Sequence, residues 1–354
     1  MKINVRQICF IMIAYTAASK LLTYPTILSL TSERDVLFPV LANFLIEGII
    51  IWAVSFLCSK TDKTFYELLA GTIGKIGAKI VYGLFAAFFL IAALLPVFEQ
   101  KLYVHNIFYD TVPSLTVFLP FFIFTTYAGA KKLQNIGRCA DICLPLFLLM
   151  MAFIFVMAFS EVELDNLLPV LRSPLSGVLK GATGTLYSFC EPCWLLMFMG
   201  RFKYSKGDAA KITLSYAAGA VIVAAFVAVF VGVYGPIAPS RTFAVARTSL
   251  FFPAIETIGR VDLIVLFALE VVMLFGLVLN IQLAVQCISA CSGLEDLRII
   301  SLAVNAVLLT VLVTCNHNYN NIYNVYHEWM WIVFLIFTVL LPALAWTLKR
   351  GKKR

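Results

Sequence analysis

Apolar residues fall along this chain in long blocks divided by short polar stretches. A helix that crosses a hydrocarbon core about 30 Å thick needs about 20 such residues. That ruler marks ten blocks, at 8–30, 36–58, 80–98, 114–130, 141–159, 177–199, 212–234, 261–290, 299–314 and 329–348. Each predicts a spanning helix, and the ninth is the shortest. Between the second and third blocks, segment 62–78 predicts a cytoplasmic surface helix. Residues 316–327, "NHNYNNIYNVYH", predict a polar, aromatic loop on the outer side.

Two blocks are interrupted. "AASKLLTYPT" (17–26) places Lys20 and Pro25 in the first, and "LYSFCEPCWLL" (186–196) places Glu191 and Pro192 in the sixth. Proline has no amide hydrogen, so Pro25 frees the carbonyl of Leu21 and Pro192 that of Ser188. The residue before each proline is pushed toward extended geometry. The interruptions occupy matching places if the chain divides into repeats at about 7–159 and 177–348. The first block then runs outward and the sixth inward, so the halves are inverted. Paired interrupted helices in inverted halves point to a transporter-type site near the midplane. The expected fold is an all-α polytopic membrane protein, a single transmembrane domain of ten helices over 1–354.

Composition settles the solvent. The chain is 62% hydrophobic and 13% charged, with a mean hydropathy of +0.94, which excludes a water-soluble domain. The first block reads as a retained spanning helix rather than a cleaved signal. The nine cysteines lie mostly in or beside apolar runs, which argues against a secreted disulfide framework. With the N-terminus inside, 19 of the 27 Lys and Arg fall in cytoplasmic segments, so both termini are expected there. The basic tail 349–354 faces anionic lipid, and the net charge of +8 needs no nucleic-acid partner.

Charges inside a membrane cost roughly 2.5–3.5 kcal/mol each on insertion scales and therefore need a partner or a cavity. Four stand out: Lys20, Glu47, Glu191 and Glu270. At about 1.5 Å per residue, Lys20 counted from Gln7 and Glu191 counted from Val178 lie roughly 10 Å apart along the membrane normal. Glu270 falls at nearly the depth of Lys20, and it is the predicted partner. Glu47 sits near the midplane and Glu99 at the outer rim.

The remaining signals are weaker. Cys190 and Cys193 form a CxxC with no second ligand pair nearby, and Cys139/Cys143 and Cys287/Cys291 are i, i+4 pairs; small packing residues are the reading taken, with no metal site. No Walker loop, dinucleotide fingerprint, hydrolase triad or HExxH occurs, so neither an enzyme nor a cofactor is expected.

Segments 168–201, "LPVLRSPLSGVLKGATGTLYSFCEPCWLLMFMGR", and 232–276, ending "FALEVVMLFG", resemble the spore germination permease family, the GerAB-type B subunits of germinant receptors. "RQICF" (6–10), "LLTYP" (21–25), "TFYELLAGTIGKIGAKIVYGLF" (64–85) and "IGRVDLI" (258–264) recur in order. The family belongs to the amino acid, polyamine and organocation superfamily, which implies a LeuT-type five-plus-five inverted repeat with helices one and six broken. The resemblance also implies a sensor in the spore inner membrane that binds a small germinant, often an amino acid, and works with A-type and C-type subunits. A proton-coupled amino acid permease is the alternative on the same scaffold. Carried onto this chain, the ligand-binding positions are Ala17, Ala18, Ser19, Lys20 and Leu21; Phe88 and Phe89; Tyr187, Ser188, Phe189, Cys190 and Glu191; and Glu270 with Met273. Lys20 departs from the small residues usual in the first break, and "SFCEP" from the usual glycine-containing stretch.

Overall fold

The computed structural model describes residues 3–108, 114–168, 173–249, 262–315, 319–344 and 347. The basic tail 349–354, positions 316–318 of the polar loop and most of the "IGRVDLI" motif lie outside them. The described residues are almost entirely helical, with a lone bridge between Ile3 and Phe202. In chain order the helices are α1 (Val5–Ala18), α2 (Tyr24–Ser32), α3 (Leu37–Ser59), α4 (Phe65–Phe108), α5 (Ser114–Gly129), α6 (Gln134–Ala158), α7 (Leu175–Thr185), α8 (Glu191–Phe198), α9 (Asp208–Tyr234), α10 (Ala244–Ser249), α11 (Asp262–Ser292), α12 (Leu297–Thr314) and α13 (Tyr319–Leu335).

Among the described residues, six helices are long and apolar enough to cross a membrane, and Val5–Ala18, Leu119–Gly129 and Glu328–Leu344 are shorter apolar helices. The surface is inverted relative to a soluble protein. Leu45, Ile49, Leu149 and Ile264 are about 70% exposed, whereas Lys20, Glu47, Asn43, Glu191 and Asn280 are buried. Lipid accepts the first set and rejects the second. The tightest-knit packing runs α11 along α4 and sets α9 against both α1 and α3.

The first and sixth blocks are broken as expected, but the prolines sit differently. Pro25 and Pro192 both occupy the first turn of a new half-helix, α2 and α8. There an amide hydrogen has no helical acceptor, so proline costs nothing and its fixed φ favours the start. The unwound stretches lie just upstream, at 19–23 and 189–190. In the first of them the carbonyl of Leu22 accepts from the Ala244 amide at 2.7 Å, which satisfies backbone that the break leaves open.

Segment 62–78 carries a short helix from Phe65 that is set off from the third block by a kink with non-helical geometry at Gly74, φ 82° and ψ 166°, within α4. Only a residue without a Cβ takes that angle readily. The "NHNYNNIYNVYH" segment is helical from Tyr319 onward, so most of it is the start of α13. Its Tyr and Asn pattern is compatible with helix once one face packs, as Tyr326 does against Tyr187 and the Ile91 carbonyl. The last block also contains a π turn at Ile336–Leu340.

The half-helices α2 and α7 lie unusually close. A Cβ on Gly177 would come within 2.7 Å of the Thr31 carbonyl oxygen, and one on Gly181 within 2.5 Å of the Ser32 hydroxyl. Backbone cannot yield as a side chain does, so Gly177→Ala is expected to lower the stability of the detergent-purified protein by about 1–3 kcal/mol. Gly184→Ala, whose Cβ meets nothing within 4 Å, serves as the control. Equal thermal unfolding of the two variants would show that α2 and α7 do not approach this closely.

Candidate functional site

The two breaks face each other. Lys20 Nζ meets Glu191 Oε1 at 2.6 Å, and both side chains are completely buried. The ammonium also points toward the Thr16 carbonyl at 3.5 Å and the Ser19 hydroxyl at 3.4 Å. It lies 4.4 Å from the centroid of the Phe189 ring and 5.8 Å from that of Phe44. A cation held over aromatic faces gains from the ring quadrupole where water is absent.

A second carboxylate completes the cluster. Glu47, on α3, accepts the Glu191 amide at 3.2 Å through Oε1 and the Tyr216 hydroxyl at 2.6 Å through Oε2. Glu191 begins α8, so its backbone amide is one that the helix itself leaves unsatisfied. Glu191 Oε2 has no hydrogen-bond partner among the described residues, and neither has the Thr16 hydroxyl. With Lys20, Glu47 and Glu191 all ionised, the cluster carries one excess negative charge. Beside it, Tyr15 bonds Cys190 Sγ at 3.0 Å and receives Asn280 Nδ2 at 3.2 Å. A cavity of about 90 Å³ borders Glu47, Asn43, Phe189 and Thr338, room for a few waters.

The expected partner of Lys20 is therefore corrected. Glu270, on α11, instead accepts from Gln100 Nε2 at 2.7 Å, and Glu99 accepts from the Thr23 hydroxyl at 2.8 Å. The depth count failed because each break was measured from a different assumed boundary. The interrupted span from Val5 to Ser32 is 28 residues, about 42 Å if helical, so a count from one end absorbs the whole excess over a core about 30 Å thick. The α2–α7 contact supplies the true register. Lys20 lies eleven residues before Thr31, and Glu191 lies ten after Gly181, its contact. The two charges are thus level.

Of the other expected positions, Ala17, Ala18 and Leu21 are buried around the first break, and Ser188 closes the 3₁₀ turn before the second. Phe88 and Phe89 lie in an aromatic cluster where Phe88 stacks on Phe337 at 4.6 Å and meets Phe334, a residue that borders the cavity beside Glu47. Met273 is half-buried on α11. Tyr216, Phe44, Tyr15 and Asn280 were not anticipated. Tyr216 is the large polar residue in "LSYAAGAVIVAAF" and Asn280 the first of two amides in "GLVLNIQ", and both stand out on that ground alone. Cys287 Sγ contacts Met197 Sδ at 3.7 Å.

An interrupted-helix scaffold with buried charges at the interruptions is an architecture that secondary transporters use. The fold is similar to those of solved transporters of the LeuT-like class. A mutant manganese transporter of Eremococcus coleocola aligns with a TM-score of 0.60 at 11% identity, over 97% of this chain and 85% of that one. The inward-facing form of Mhp1 aligns at 0.55 and 12% identity, over 95% and 73%. In sequence, residues 2–322 match the spore germination protein family of permeases, and the chain belongs to that family. The spore germination protein YndE of Bacillus subtilis is 28% identical over 200 residues, 56% of this chain and 54% of YndE. The match thus spans about half of that relative's length.

Removing one partner of a fully buried ion pair strands the other, at about 3–5 kcal/mol, whereas removing both costs far less. Lys20→Met and Glu191→Gln are each expected to reduce folded yield sharply, and the double variant to recover most of it. Lys20→Met combined with Glu270→Gln is expected to show no recovery. Recovery in that second pair, and not in the first, would reinstate Glu270 as the partner.

Proposed function

We propose that this chain is the B subunit of a spore germinant receptor, and that it binds an α-amino acid where the breaks at 17–21 and 187–191 meet. The observation that carries this reading is the Lys20–Glu191 pair beside Glu47. An amino acid is itself a fixed pair of opposite charges. Its carboxylate takes the place of Glu191 on Lys20, while its ammonium is received by Glu47 and the released Glu191. Every charge keeps a partner during the exchange, and the bonds that tie α1 to α8 change. In this reading ten spans form two inverted five-helix halves in the spore inner membrane, with both termini cytoplasmic. A-type and C-type subunits receive the change.

The test is germinant concentration dependence in intact spores or reconstituted receptors. Glu47→Gln keeps a hydrogen-bond acceptor but removes charge, and Ser188→Leu fills space at the break. Each is expected to raise the half-maximal concentration at least tenfold, about 1.4 kcal/mol of binding, at normal protein levels. Unchanged half-maximal concentrations in both would remove this segment from the ligand site.

A proton-coupled amino acid permease is the second reading, favoured by two additional carboxylates, the buried Glu99 and the half-buried Glu270, which bond to Thr23 and Gln100. Uptake of a labelled amino acid into proteoliposomes, driven by an imposed proton gradient and lost in Glu47→Gln, supports the permease. Ligand binding without uptake supports the sensor.

A further inference from the structure

Far from the ion pair, three helix ends build a second site. The turn between α5 and α6 and the start of α12 enclose a pocket of about 640 Å³ lined by Lys131, Lys132, Arg138 and Arg298, with no carboxylate in its wall. Asp296 is turned to another task, accepting the Arg298 amide at 2.9 Å as the cap of α12. Lys131 Nζ sits 3.9 Å from the centroid of the Tyr127 ring, which holds it over the pocket's aromatic wall.

The pocket does not end in solvent alone. An apolar groove of about 310 Å³ adjoins it between α5, α6 and α11, walled by Phe124, Cys139, Cys143, Leu274 and Val278. Tyr127, Lys131 and Asn135 line both. Four cations without a carboxylate attract an anion, and a Lys or Arg at a helix end meets the membrane at headgroup level. The groove beneath is walled mainly by apolar side chains, which offer a hydrated ion little and suit hydrocarbon.

We propose that this composite site binds one anionic phospholipid, its phosphodiester among Lys131, Lys132, Arg138 and Arg298 and an acyl chain along the Cys139–Val278 groove. Charge complementarity and the continuity of the basic pocket with the apolar groove select this occupant over free phosphate, which has nothing to place in the groove. The site is separate from the breaks and independent of whether they bind a germinant.

The full chain, exchanged into mixed phosphatidylglycerol and phosphatidylcholine nanodiscs and released for native mass spectrometry, reports which lipid stays bound. Preferential retention of phosphatidylglycerol, at least tenfold, is expected. K131Q/K132Q/R138Q/R298Q should abolish that preference, and the double variants K131Q/K132Q and R138Q/R298Q, each weakening it, serve if the quadruple fails to fold. Cys139→Trp, which keeps every charge but fills the groove, should reduce retention at least threefold. Neutralising Lys60, Lys63, Lys75 and Lys79 together should leave the preference intact. An equal loss in that last variant would reduce the effect to general charge and overturn the site. Full retention in Cys139→Trp, or displacement of the lipid by millimolar inorganic phosphate, would overturn the lipid as occupant.

Discussion

The Lys20–Glu191 ion pair is the constraint around which the rest of the bundle is arranged. Two charges 2.6 Å apart with no exposure to solvent are sustainable in an apolar solvent only when each is held by further dipoles, because the loss of hydration exceeds what one contact returns. The surroundings supply those dipoles from separate parts of the chain. Glu47 comes from α3, Tyr216 from α9, the Thr16 carbonyl from α1, and the aromatic faces from the neighbouring rings of Phe44 and Phe189, 5.1 Å apart. No one of these elements has a reason to sit where it does without the others.

The same constraint explains why the breaks are clean. A lipid-embedded helix can be interrupted only where its open backbone groups find partners. The Leu22 carbonyl finds the Ala244 amide, and the Glu191 amide finds the Glu47 carboxylate. Pro25 and Pro192 open the following half-helices at no hydrogen-bond cost. Glycines at 177 and 181 then let α7 lie against α2, which sets the two breaks at one level and brings the charges into reach.

A transporter fold is thus combined with a site that is closed in this structure, with Lys20 paired to Glu191, one Glu191 oxygen left without a partner among the described residues, and only a small cavity beside Glu47. Such an arrangement favours a ligand able to exchange partners with the pair over one that merely adds to it, since any uncompensated charge left behind would be expensive. Membership of the spore germination protein family and the LeuT-like fold are both compatible with a scaffold whose interrupted helices rearrange when a small molecule arrives.

The sequence by itself determined the solvent, the helical class, the interruptions and the family, because each of these is written locally. Hydropathy over about 20 residues reports burial in lipid, and Pro25 and Pro192, each beside a charged or polar break, mark the starts of half-helices. "CEP" and "ASK" marked the charges before any fold was known. Which charges meet was decided only by tertiary structure. Depth counted along one helix cannot include tilt, the true membrane boundary or the close approach of α2 and α7, so Glu270 looked level with Lys20 although it bonds Gln100. Likewise Phe44 is an ordinary apolar-helix residue in one dimension and Tyr216 an isolated polar one, and they become part of the cluster only when α3 and α9 pack together. Long-range pairing is a property of the register between helices, and that register is set by small residues and side-chain shape rather than by any pattern confined to one span.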